Sequence, residues 1–158
     1  MAPPTPSRVR VAADADMQAA GRLLHDFNVE FAEPTPAPGI LAARLRDLLA
    51  AGDTVVLLAG EREPVGIAVL RLRGAIWSGG RECHLAELYV APEHRGHGLG
   101  RALMEASIEL ARRLGAERMD IGVDEPDEAA RALYESIGFT NRSGGSGGSL
   151  MFVYERDL

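Results

Sequence analysis

The spacing of apolar and polar residues changes period several times along this chain, and each change marks an element. Residues 8–11 (Arg-Val-Arg-Val) alternate as a short strand. Asp14 or Asp16 can then cap a helix carrying Met17, Ala20, Leu23, Leu24, Phe27 and Phe31 at helical spacing. The run Glu33-Pro34-Thr35-Pro36-Ala37-Pro38-Gly39 stops it. A second helix places Ile40, Leu41, Leu45, Leu48 and Leu49 on one stripe and ends at Gly52. The period then shortens. Residues 54–59, 65–72 and 82–90 are aliphatic and β-branched runs separated by Gly60–Pro64 and Ser78-Gly79-Gly80, which predicts three adjacent antiparallel strands. A long amphipathic helix follows over 98–114, then an alternating strand over 118–123. The next helix runs from Pro126 to Ser136 and closes at Gly138. A last hairpin is expected to pair 139–142 with 150–156 across Ser143-Gly144-Gly145-Ser146-Gly147-Gly148-Ser149, a flexible loop. The order βααβββαβαββ predicts a mixed α/β (α+β) fold with a mostly antiparallel sheet flanked by helices.

Length and composition narrow the class. With 158 residues, 46% of them hydrophobic and 25% charged, the chain fits one domain with a real core, about 8–156, behind a flexible tail over 1–7. Its apolar runs fall short of the ~20 residues of a membrane helix, and the Pro-rich start lacks the apolar stretch of a secretory signal. A net charge of −6 argues against nucleic acid as the partner. The single cysteine, Cys83, and the absence of Cys/His spacing argue against disulfides and structural zinc, and point to a cytoplasmic protein without a metal. All 17 basic residues are arginine, so no lysine amine is available for catalysis.

The most informative segment runs Leu88-Tyr89-Val90-Ala91-Pro92-Glu93-His94-Arg95-Gly96-His97-Gly98-Leu99-Gly100-Arg101. A strand ends, a glycine-rich turn follows and a long helix begins. Glycines remove side chains where the backbone must approach a ligand, and helix N-termini carry about half a unit of positive charge. This predicts a pyrophosphate cradle with Arg95 and Arg101 as added cations. A dinucleotide fingerprint would need glycine where Arg101 stands, and a P-loop would need lysine. The alternative is a plain glycine-rich strand-to-helix turn.

These residues resemble the GNAT family of N-acetyltransferases. Its acetyl-CoA signature, Gln/Arg-x-x-Gly-x-Gly/Ala, is matched by Arg95-Gly96-His97-Gly98-Leu99-Gly100. A second family motif, Asn-x-x-Ala-x-x-Leu/Phe-Tyr-x-x-x-Gly-Phe, is matched from Asp127 through Ala130, Leu133 and Tyr134 to Gly138-Phe139. The likeness extends from about Arg8 to Tyr154. Asp127 departs from the family asparagine: it accepts a hydrogen bond but cannot donate one, which favours helix capping over contact with the cofactor.

The resemblance implies direct acetyl transfer from acetyl-CoA to a primary amine in a ternary complex, in a GNAT fold. It implies backbone N–H groups near Leu88, Tyr89 and Val90 for the thioester carbonyl and pantetheine, a cradle over Arg95–Arg101, and Tyr134 as proton donor to the departing thiolate. An amine is mostly protonated at neutral pH, so a base is needed, and Glu87 or His84 on the central strand could serve. Each has a bland alternative: a solvated carboxylate, a hydrogen-bonded sheet histidine. A one-residue change of register swaps their faces. Cys83 is expected to be a buried strand residue, since nothing lowers its pKa.

Acceptor binding is implied for the first two helices and the loops over the central strands. Glu30 and Glu33 could hold a cationic amine, and Trp77 near a hairpin tip could cover a ligand. Small-molecule amines are the expected acceptors. Protein lysines or N-termini, and a non-catalytic CoA-binding sensor, are the alternatives. The family resemblance also allows a homodimer.

Overall fold

A computed structural model describes residues 8–158, and the predicted tail over 1–7 lies outside the described residues. The chain divides into two compact units, Met1–Ile121 and Gly122–Leu158.

In the first unit, β1 (Val9–Val11) leads through a 3-10 turn into α1 (Met17–Glu30) and α2 (Pro38–Ala51). Strands β2 (Thr54–Ala59), β3 (Gly66–Gly74) and β4 (Arg81–Val90) follow, then α3 (Leu99–Arg113) and β5 (Ala116–Ile121). The sheet order is β1-β2-β3-β4-β5, antiparallel except for the parallel pair β4–β5 that α3 connects. Both ends of α2 follow the sequence signals, whereas Asp16, at the N-cap position of α1, makes no side-chain capping bond to that helix. Pro38 sits in the first turn of α2, and Gly52 ends that helix with φ +89°, a conformation that costs glycine little. The Asp16 carboxylate accepts from the Ala13 amide and both guanidinium nitrogens of Arg10, fixing the entry to α1; this arrangement lowers its pKa to about 2.

Helices cover both faces of the sheet. Met17, Ala20 and Leu23 of α1 and Ala42 and Leu45 of α2 pack on Val56, Leu58, Ile67, Val69 and Tyr89. The opposite face meets α3: a Cβ on Gly66 would stand 3.1 Å from Leu103 Cδ1. Glycine also sets the approach of α1 to α2, since a Cβ on Gly21 would lie 2.8 Å from the Ala42 amide nitrogen. Two apolar residues placed on helical stripes by sequence are surface residues instead: Ile40 is 50% exposed, and Phe31 lies just past the end of α1 and is 56% exposed.

In the second unit, α4 (Glu128–Ser136) is capped by Asp127, whose Oδ1 accepts from the Ala130 amide at 3.0 Å. Gly138 closes it with φ +98°, and the Phe139 amide returns to the Tyr134 carbonyl. The expected final pair of strands does not form. Arg142 and Leu150 make one isolated antiparallel bridge, flanked by bonds from the Ser143 amide to the Ser149 carbonyl and from the Met151 amide to the Asn141 carbonyl. Beyond it, residues 151–158 have no ladder and are exposed. A glycine-rich seven-residue connection does little to fix register, and a two-stranded ribbon is marginal by itself. The strand expected over 118–123 begins and ends two residues earlier, as β5.

Candidate functional site

The central strand carries the site, and its shape comes from one irregularity. Val69 of β3 faces Glu87 of β4, but Leu70 faces Leu85, so Ala86 is an extra residue with no opposite number. Such a bulge shifts the alternation of side chains by one. Without it, residues 84 and 87, three apart, would point to opposite faces. With it, His84 (opposite Arg71) and Glu87 (opposite Val69) share the face covered by α1 and α2, while Cys83 and Leu85 turn into the α3 side.

The two titratable groups are held differently. His84 Nδ1 lies 2.6 Å from an Asp120 carboxylate oxygen on β5. A carboxylate only accepts, so Nδ1 carries a proton, and whenever the ring is neutral Nε2 keeps its lone pair. Burial raises the Glu87 pKa, and the charge of His84 pulls it back down. Cys83 is fully buried, and its thiol is pushed up to about 11 by burial and the Asp120 charge, so it is inert as a nucleophile.

Glu87 opens onto a cavity of about 180 Å3 between α1, α2 and the β3–β4 pair. Leu24, Leu41 and Leu48 give it an apolar wall, and Arg44 and Arg71, both exposed to solvent, also line it. The sequence reading passed over both arginines. One signal was available for Arg44, a cation three residues after Leu41 and four before Leu48, on the apolar stripe of α2. Arg71 gave none, because only the register of β3 aims it at this face.

The end of β4 is open on one side. Its parallel pairing with β5 stops at Leu85–Ile121, whereas β3 accompanies it to Val90. The backbone edge over residues 86–90 therefore has no strand partner in β5. A short 3-10 turn at Pro92–His94 leads into the glycine-rich segment. Gly96 and Gly98 both have φ +78°, and a Cβ at either would meet nothing within 4 Å. That open space lies in front of the N-terminus of a 15-residue helix, with Gly98 as its N-cap. The N–H groups of Gly96, His97 and Gly98 donate to no described residue. This turn fits a pyrophosphate: unclaimed amides, no side chain in the way, and the positive end of a helix.

Arg95 is placed otherwise than as a free cation. Its two terminal nitrogens bind both carboxylate oxygens of Glu30 at 2.8 and 2.6 Å, its Nε donates to the Val90 carbonyl at 2.9 Å, and its guanidinium lies 5.7 Å from the Tyr89 ring centre. Tyr89 in turn stacks on Phe27 at 5.1 Å. Arg95 thus ties the glycine turn to the end of β4 and to α1, and occupies the carboxylate expected to face an acceptor. Arg101 makes a long ion pair with Glu105, 3.8 Å away on the next turn. Glu33 is exposed beyond α1, and Trp77 at the β3–β4 tip is 95% exposed.

In the second unit Tyr134 is buried on α4, its ring 6.2 Å from that of Phe139. Burial, with a smaller contribution from the Asp127 charge, raises its pKa to about 12. Asp127 spends its side chain on the helix cap. Among the described residues no group of three or more His, Cys, Asp or Glu side chains could hold a metal ion, and no helix is long and apolar enough to cross a membrane.

A model of the Acetyltransferase (GNAT) family matches residues 21–139. A crystal structure of a candidate acetyltransferase from Arthrobacter sp. FB24 superposes with a TM-score of 0.89, is 46% identical, and covers 100% of both chains. The chain is also similar to the mycothiol acetyltransferase of Thermobispora bispora, 45% identical over 64 residues, or 39% of this chain and 22% of that protein. It is similar too to the L-methionine sulfoximine/L-methionine sulfone acetyltransferase of Salmonella typhimurium, 43% identical over 53 residues, or 34% of this chain and 31% of that protein. These matches span less than a third of either curated relative's length.

Proposed function

The chain belongs to the GNAT acetyltransferase family, and from that premise we propose that it acetylates a primary amine of a small molecule at the expense of acetyl-CoA. The observation that carries this is the turn from β4 into α3, with two positive-φ glycines, open space where side chains would stand, and free amides at a helix start. The family match runs through both compact units, which supports one catalytic domain. Both curated relatives are named for acetylating small molecules.

When bound, acetyl-CoA supplies a thioester whose carbonyl carbon the amine attacks, forming the amide C–N bond as the C–S bond breaks and a thiolate leaves. The residues of this chain do the rest. Amides of Gly96 through Arg101 hold the pyrophosphate. Arg95 braces that turn through Glu30 and Val90. Along the open edge of β4, N–H groups in the Leu88–Val90 stretch bind the thioester oxygen, where hydrogen bonds gain strength as charge develops. Glu87 takes the proton that the acceptor ammonium must lose, and its raised pKa brings it closer to that task. His84, oriented by Asp120, is the second base on the same face. Tyr134 stays protonated at any working pH and gives its hydrogen bond, then its proton, to the leaving sulfur. The free Cys83 thiol in the core supports a cytoplasmic setting.

The test is thiol release from acetyl-CoA against amino acids, polyamines, aminoglycosides and lysine peptides, with the acetylated product weighed by mass spectrometry and an enzyme-only blank for Cys83. Release that depends on one amine class, with the matching product, supports the assignment. Acetyl-CoA binding by calorimetry with no product from any acceptor would leave a CoA-binding module in its place.

A further inference from the structure

The cavity beneath α1 and α2 has a composition that acetyl transfer as such does not require. A base and an apolar wall would suffice for an amine, yet Arg44 and Arg71 also line the space beside Glu87. Neither guanidinium is engaged by an ion pair or hydrogen bond among the described residues, although six of the other arginines pair with carboxylates. Arg71 lies on β3 two residues from Val69, the cross-strand partner of Glu87, and Arg44 descends from α2. Two cations and one carboxylate repel a polyamine or an aminoglycoside, whose charges are all positive. They suit a ligand with an anionic group close to its amine. The size agrees: about 180 Å3 falls below the ~300–1,000 Å3 of drug-sized sites.

We propose that the acceptor is an α-amino acid with an aliphatic side chain, its carboxylate held by Arg44 and Arg71, its side chain among Leu24, Leu41 and Leu48, and its amine directed to Glu87. The planar guanidinium fork matches a carboxylate in geometry as well as charge. The α-carbon joins both charged groups, so fixing the carboxylate also fixes the nitrogen. The assignment rests on the acetyl-transfer reading, since it names that reaction's acceptor.

The experiment compares leucine, methionine and valine with L-leucinamide, 3-methylbutylamine and spermidine at saturating acetyl-CoA. The free amino acids are expected to exceed leucinamide and 3-methylbutylamine in kcat/KM by about 10–100-fold, the worth of charged hydrogen bonds. Arg44→Gln and Arg71→Gln should each raise KM for the best amino acid by a similar factor, roughly 10–100-fold, a larger change than for 3-methylbutylamine, which has no carboxylate to lose. Equal use of an amine without a carboxylate, or unchanged KM in both variants, overturns the assignment. Should no acceptor be turned over, calorimetry with the same amino acids decides. Binding to the wild-type protein that weakens in Arg71→Gln keeps the pocket and removes the transfer reaction. No binding to protein that does bind acetyl-CoA removes the pocket.

Discussion

The glycine turn and the cavity under α1 and α2 lie at one end of the same strand and are built on opposite principles. The turn presents backbone: its donors are amides, and its defining feature is the absence of side chains at Gly96 and Gly98. The cavity presents side chains that converge from α1, α2, β3 and β4. A backbone site suits a ligand group that does not vary, as the pyrophosphate of the proposed acyl-CoA donor does not. A side-chain site can be retuned one residue at a time without disturbing the chain path. On the proposed reading, donor and acceptor sites are thereby separated within a few residues of β4, with the bulge at Ala86 between His84 and Glu87.

The largest effect is expected where side chains are excluded. Gly98→Glu places a side chain at φ +78° and a negative charge in the space assigned to phosphate, so acetyl-CoA affinity should fall by more than about 100-fold. Gly98→Ala, which adds the strain without the charge, should fall between the two. Calorimetric titration with acetyl-CoA checks both, and wild-type affinity in Gly98→Glu would remove the cradle from this turn. Next comes Tyr134→Phe, which takes away one oxygen and nothing else. Turnover should fall by about 10²-fold or more, as for loss of a general acid, while acetyl-CoA binds as before. A variant as fast as wild type would pass the proton to solvent.

The same contrast explains what could be foreseen. A glycine-rich turn between a strand and a helix is a local arrangement, and its φ angles and exposed amides follow from consecutive residues. The caps at Gly52, Asp127 and Gly138 are local in the same sense. Convergence of distant residues is not. Arg95 and Glu30 are 65 residues apart, and their pairing depends on how α1 packs beside β4. The bulge carries no sequence signature, since Leu85, Ala86 and Glu87 read equally well as plain alternation. It nonetheless decides that both candidate bases share one face of the sheet. The final hairpin failed for another reason: residues 150–154 have the composition of a strand, but only the Arg142–Leu150 bridge forms.

Two smaller effects probe the side-chain site. Burial raises the Glu87 pKa, so its charged form is disfavoured in the folded state. The sign follows by linkage: the penalty is present above the folded pKa and disappears as pH falls below the unfolded one. Glu87→Gln should therefore raise Tm at neutral pH, with the gain vanishing in acid. Activity moves the other way. Between the Glu87 pKa and that of the acceptor amine, the variant should be slower than wild type, and the gap should close at high pH where the amine is already free. A pH–rate profile identical to wild type would shift the base to His84 or water.

The smallest effect is expected from Glu30→Gln, which touches the junction between the two regions. It removes a bidentate partner from Arg95 but leaves the bond to the Val90 carbonyl and the contact over Tyr89. The pair is partly solvated, with side chains 45% and 28% exposed, so the loss of stability should stay within about 1 kcal/mol. The more telling quantity is KM for acetyl-CoA. If Arg95 braces the turn, the variant should weaken acetyl-CoA binding a few-fold, because the amides lose part of their preorganisation while the new freedom of the guanidinium does not replace it. If Arg95 is instead a phosphate cation restrained by Glu30, freeing it should tighten binding. A steady-state KM and a calorimetric Kd, measured at low and high salt, separate the two: only the second effect would fade as salt screens the added charge.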